Sequence, residues 1–145
     1  GLIAVQARQL GVSAPLFGGD GWEAPELIQI GGSALEGTYY STHYSAEDQS
    51  PLVQSFVKKF KARFSGETPD AMAALGYDSA AVLVDAINRA GSTEGPKIRD
   101  ALATTKDFIG VTGNTTMDPN RNATKPAVII TVKEGRFKYV ETIKP

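Results

Sequence analysis

The chain has no cysteine and, in 145 residues, only one histidine, one tryptophan and two methionines. Without thiols there is no disulfide, no thiolate metal centre and no cysteine nucleophile. His43 alone is a poor basis for a zinc site, which usually takes more than one nitrogen ligand. It is equally poor for a hydrolytic triad, whose histidine must stand between an acid and a nucleophile. It reads instead as a packed or hydrogen-bonded side chain. Charge of one sign is also missing: 15 Lys and Arg against 16 Asp and Glu leave a formal net charge of -1. That balance carries no electrostatic footprint of nucleic-acid or anionic-membrane binding. No apolar run approaches the roughly 20 residues that a membrane span requires, so direct membrane insertion is not expected.

What is present suits a globular α/β chain, with 41% apolar and 21% charged residues. The opening GLIAVQARQLG has helical periodicity with Gly11 as its stop and no capping residue before it, so the chain reads as starting inside an element. A short strand is predicted near Ala14 to Phe17, a short helix over Pro25 to Ile30, and a strand within Gly37 to Tyr44.

Ser50 and Pro51 open a helix with Leu52, Val53, Phe56, Val57, Phe60 and Phe64 on one face. Thr68 and Pro69 signal the start of a longer one. Its stripe is predicted as Met72, Leu75, Val82, Leu83, Ala86, Ile87 and Ala90, with Gly91 ending it and Gly76 a weak point inside. A third helix over about Pro96 to Thr104 should bury Ile98, Ala101 and Leu102. Then come the strand-like FIGVTG, the turn-rich NTTMDPNRNATK, and a hairpin of PAVIITV and FKYVETI around Gly135.

Several motifs fail on inspection. DPNRN at 118 to 122 starts like a calcium loop, but Ala123 and Ile129 stand where that loop needs glycine and glutamate, so a β-turn is expected. NTT and NAT match the glycan acceptor pattern, a short signal that turn residues satisfy by chance. GGDG lacks the Lys and hydroxyl of a phosphate loop, and its acid would repel a phosphate. Asp78 reads as a cap after Gly76, or as part of a solvated face with Asp85.

LFGGDGW, residues 16 to 22, leaves two readings open for Asp20. One is a cap for the helix that follows, which the spacing favours. The other is a carboxylate at the C-terminal end of a strand, where open α/β sheets bind ligands, with Gly19 and Gly21 keeping side chains away and Trp22 as a wall. Tryptophan packed in a core is the commoner case.

Taken in order, PLFGGDGW, GGSALEGTYYSTHYS, GYDSAAVLVDAI, FIGVTGNTTMD and KPAVIITVKEGRFKYV resemble the C-terminal portion of a branched-chain amino acid (Leu/Ile/Val) ABC-transporter substrate-binding protein. The resemblance covers nearly the whole chain. It implies a partial type I periplasmic-binding-protein fold, made of the later parts of two α/β lobes. Residues 1–45 and 126–145 would belong to the second lobe and 50–113 to the first, with interlobe crossovers at 45–49 and 114–125. The N-terminal part, which would carry the groups for a ligand's carboxylate, would be absent.

By the same resemblance Asp20, flanked by Gly19, Gly21 and Trp22, would meet the α-ammonium group of a small neutral amino acid. Met72 and Tyr77 would approach from the first lobe. No metal or organic cofactor and no catalysis are implied. The partners would be the amino acid and a membrane permease, and the location extracytoplasmic. The alternative is a ligand-sensing domain of the same fold that binds an amide, urea or aromatic acid.

Overall fold

The computed structural model describes all residues, 1–145, as five α-helices and seven strands. Helices α1 (Leu2–Gln9) and α2 (Pro25–Gly31) accompany strands β1 (Phe17–Gly18) and β2 (Tyr39–Thr42) in the first third of the chain. Helices α3 (Pro51–Arg63), α4 (Ala71–Ala90) and α5 (Gly95–Ala103) follow without an intervening strand. Strands β3 (Phe108–Gly110), β4 (Gly113–Met117), β5 (Ala123–Thr124), β6 (Ala127–Lys133) and β7 (Arg136–Ile143) complete the chain. No helix is long and apolar enough to cross a membrane.

Two sheets organise these elements. The larger has the order β1-β2-β6-β7, with β1 parallel to β2 and the other pairs antiparallel. Strand β6 alternates exposed or half-buried residues with buried Val128, Ile130 and Val132, which point to a core shared with Tyr40, Trp22, Phe137, Ala4 and Leu35. The β6–β7 hairpin closes at Glu134 and Gly135, both with positive φ of 54° and 66°. A two-residue turn of this hand matches the strand twist and needs positive φ at both positions. Glu134 accepts the conformation because Glu36 receives the N–H groups of both turn residues, at 3.0 and 2.7 Å. The smaller sheet, β3-β4-β5, takes in part of the stretch read as a linker: NTTM of 114–117 is strand, not turn.

The three helices form a second packing group. Ser50 caps α3, accepting the Val53 N–H at 3.4 Å, and Pro51 occupies its first turn. Val53, Phe56 and Val57 bury against Ala71 and Ala74 of α4, Val111 and Tyr44, whereas Leu52 and Phe64 are exposed at the ends of the expected stripe. Helix α4 starts two residues later than the Thr68-Pro69 signal suggests, because Asp70 is the residue whose carboxylate accepts the Ala73 N–H, at 2.8 Å. Gly76 does not break α4, and Gly91, at φ 58°, ends it in the left-handed conformation. Helix α5 buries no residue fully, and Ile98, Ala101 and Leu102 are half-buried.

The buried face of α4 differs from the predicted one. It runs Ala71, Ala74, Asp78, Val82 and Ala86, while Met72 and Leu83 are exposed. A stripe drawn through apolar residues alone turns the helix too far, since its middle position is a carboxylate. Asp78 is therefore neither a cap nor part of a solvated face. It accepts the Val111 N–H at 2.8 Å, and its other oxygen accepts the Thr112 N–H at 2.8 Å and the Thr112 hydroxyl at 2.7 Å. Gly110 makes the approach possible, because a Cβ there would stand 2.4 Å from an Asp78 oxygen. Asp85, by contrast, is on the surface, paired with Arg89 at 2.7 Å.

Removing Asp78 would orphan two buried backbone N–H groups, each costing about 1–3 kcal/mol. Asp78→Ala should therefore lower the unfolding free energy by about 3 kcal/mol, read as an earlier urea midpoint with an unchanged slope.

Candidate ligand-binding site

Because β1 and β2 run parallel, with Phe17 opposite Tyr39 and Gly18 opposite Tyr40, the chain leaves both strands on the same side of the sheet. The residues just beyond β1 and those ending β2 therefore meet. Asp20, Gly21 and Trp22 form a single 3-10 turn after Gly19, and Asp20 does not cap α2, whose N-cap is Ala24 with no side-chain hydrogen bond. The cap reading fails because the 3-10 turn separates Asp20 from that helix. Its carboxylate reaches His43 instead, Oδ2 to Nε2 at 3.1 Å, with both side chains partly exposed.

The next acid along the turn is Glu23, which belongs to no sequence motif. It accepts the hydroxyl of Thr42 on one oxygen and the N–H of Ala71, at 3.0 Å, on the other. One side chain thus ties the end of β2 to the first residue of α4. Burial raises the Glu23 carboxyl above its ordinary range, the bonds from Thr42 and Ala71 oppose that rise, and nearby Asp70 adds to it. Burial first, and then the Glu23 charge, also push the Tyr40 and Tyr44 hydroxyls up.

Two cavities flank this tie. A small one of about 30 Å³ is lined by Asp20, Glu23, Asp70, Ala71 and Met72. It brings together two of the residues singled out from the sequence, Asp20 from the turn and Met72 from the exposed side of the α4 N-terminus. Gly19 and Gly21 bracket Asp20, and a Cβ on either would meet nothing within 4 Å. The larger cavity, about 460 Å³, runs between Glu23, Tyr40, Tyr44, Glu47, Asp70 and the β7 residues Phe137 and Tyr139.

Trp22 lines neither cavity. Its ring packs on the cluster of Tyr40, Val128 and Ile130, and it lies so close over Gly18 that a Cβ there would stand 2.2 Å from the indole. Tyr77 is also apart from the others, its ring against Phe56 at a centroid distance of 5.0 Å. Five residues along a helix place Tyr77 well round from Met72. No group of three or more His, Cys, Asp or Glu is arranged to hold a metal ion.

Glu23 and Asp70 could not be found by periodicity or motif. The usable signal was that Glu23 lies three residues after Asp20 in a turn leaving a strand, and its meaning depends on α4 arriving from elsewhere.

Comparison with known proteins gives a consistent picture. The periplasmic binding protein family matches residues 2–136. The Leu/Ile/Val-binding protein homolog 2 of Brucella abortus is 32% identical over 145 residues, which is 97% of this chain and 38% of that protein. Among solved structures, the leucine binding protein LivK of Thermotoga maritima is 43% identical with a TM-score of 0.89, over 99% of this chain and 41% of that one. The branched-chain amino acid transporter substrate binding protein LivJ of Streptococcus pneumoniae, solved with isoleucine, is 34% identical with a TM-score of 0.83, over 99% and 41%. The chain spans about two fifths of the length of these relatives.

Two substitutions probe the geometry. Glu23→Gln keeps an acceptor for Ala71, offers Thr42 an amide donor in place of the carboxylate acceptor, and removes a half-buried charge. A carboxyl raised on folding binds more protons in the folded state, so its contribution to stability grows as pH falls through the folded value and shrinks above it. Glu23→Gln should therefore unfold at the same or a higher temperature than wild type at pH 7, with the difference shrinking toward pH 4, whereas Glu23→Ala should unfold earlier at neutral pH. Gly18→Ala should displace the indole of Trp22, the only tryptophan, and shift its fluorescence emission to longer wavelength.

Proposed function

This chain belongs to the periplasmic binding protein family, and we propose that it is the C-terminal part of an extracytoplasmic solute-binding protein. That protein captures a small neutral amino acid of the branched-chain class and delivers it to the permease of an ABC transporter. The observation that carries the reading is the carboxylate of Asp20, which lines a small cavity between the turn after β1 and the N-terminus of α4. An α-ammonium group offers three donors and a charge, and a charge-assisted hydrogen bond to a carboxylate is about twice as strong as a neutral one. The names of the relatives, among them leucine-binding LivK and isoleucine-bound LivJ, support an aliphatic side chain beside that ammonium.

On this reading the chain divides between two lobes. The sheet β1-β2-β6-β7 with α1 and α2 would belong to one, and α3, α4, α5 and β3 would form most of the other, joined at 45–49 and 114–125. Asp20, Gly19, Gly21 and Trp22 stand on the first of these bodies, Met72 and Tyr77 on the second. The pliable thioether of Met72, which is 62% exposed, suits a contact with an aliphatic ligand. A ligand touching both bodies would favour the closed arrangement over the open one. Such a protein binds and releases without catalysis and needs no cofactor.

The test is titration calorimetry of the full-length protein against the twenty amino acids. Leucine, isoleucine or valine should release heat with a single site. Asp20→Ala should weaken that binding by about tenfold to a hundredfold, the equivalent of one hydrogen bond to a charged group, with an unchanged melting temperature. Unaltered affinity in the variant would remove Asp20 from the site, and no heat with any amino acid would reject the ligand class. Binding of an amide, urea or aromatic acid instead would favour a sensory role.

A further inference from the structure

We propose that His43 is a positioning residue for this site: it aims the Asp20 carboxylate at the ligand's ammonium group and makes ligand affinity depend on pH. The proposal rests on the function given above and extends it to a residue with no assigned role.

Asp20 stands on a turn of three residues, between two glycines, and one of its oxygens receives a single bond from within the chain, that of His43 Nε2 at 3.1 Å. Without that bond the carboxylate would share its time among several rotamers, and orienting it would be a cost charged to each binding event. With Oδ2 held, Oδ1 stays free for an ammonium donor. The histidine is itself fixed. It follows directly on β2, and its backbone carbonyl accepts from Nζ of Lys125 at 3.4 Å, two residues before β6 begins. One residue therefore connects the candidate ligand carboxylate with Lys125, in the segment that leads into β6.

The charge consequence depends on the imidazole's state. A neutral ring donates its Nε2 hydrogen and leaves the full negative charge of Asp20 available. A protonated ring donates the same hydrogen but offsets that charge, so an ammonium ligand is held less strongly. Affinity should therefore fall as pH drops through the range in which histidines gain a proton. The other charged groups facing this corner are Glu23, which feels the His43 charge, Asp48, which shares a cavity with His43, Asp70, which shares one with Asp20, and Lys125. Asp78 acts on Lys125 from the far side. Burial raises the Glu23 carboxyl, so it is the necessary control.

The experiment is calorimetric titration of the full-length protein with leucine between pH 5.5 and 8, for wild type, His43→Gln and Glu23→Gln. Wild-type affinity should fall about two- to fivefold on acidification, the size of a partly exposed charge pair. His43→Gln should flatten that profile while staying within about fivefold of wild type at pH 8, and Glu23→Gln should keep the slope. In NMR spectra the imidazole signals absent from His43→Gln should shift when leucine is added to wild type. A slope that persists in His43→Gln, a flat wild-type profile, or imidazole signals indifferent to leucine would overturn the proposal. Circular dichroism of the variant at each pH separates loss of fold from loss of the slope. If no amino acid binds the wild type at any pH, the proposed function falls and this role falls with it. If leucine binds but the slope is unaltered in His43→Gln, only the role of His43 falls.

Discussion

The parallel pairing of β1 with β2 is the constraint on which the site depends. Two strands of an antiparallel pair send their following loops to opposite ends, whereas a parallel pair sends both to one end. Phe17 opposite Tyr39 and Gly18 opposite Tyr40 therefore bring the GGDGW turn beside Thr42 and His43. The pairing is only two residues long, and the Phe17 and Tyr39 rings stack across it with centroids 5.7 Å apart. The Asp20–His43 bond and the hold of Glu23 on Thr42 are both consequences of that register.

The second constraint lies on the other packing group. A buried carboxylate is costly unless several donors compensate it, and Asp78 receives three, all from the residues that turn β3 into β4. This fastens the small sheet to the middle of α4 and sets where the first turn of that helix stands. From there the Ala71 N–H faces Glu23 across the gap between the groups. Two acids with opposite surroundings thus fix α4 from two sides: Asp78, nearly buried and saturated with donors, and Glu23, half-buried and lifted by its burial.

Much of the fold was legible in the chain. The Ser50-Pro51 start of α3, the Gly91 stop of α4 and the β6–β7 hairpin follow from capping, left-handed glycine and alternation, which are local rules. The face of α4 was not legible, because its buried stripe contains Asp78 and small alanines, and a hydrophobic pattern gives no weight to a buried acid. The cap that spacing favours as one reading of Asp20 fails for the same kind of reason: spacing to the next helix is local, while the partner that claims the side chain, His43, lies just beyond another strand.

By itself the sequence determined which elements form and where most of them stop, because those choices depend on torsions and capping groups within a few residues. It also placed an acid between glycines just after the first strand and left the chain without cysteine and with a single histidine. Only the tertiary structure decided what Asp20, Glu23, His43, Asp70 and Met72 do to one another. Their proximity is set by strand register and by the placement of α4, and both of these are long-range pairings that no local pattern encodes.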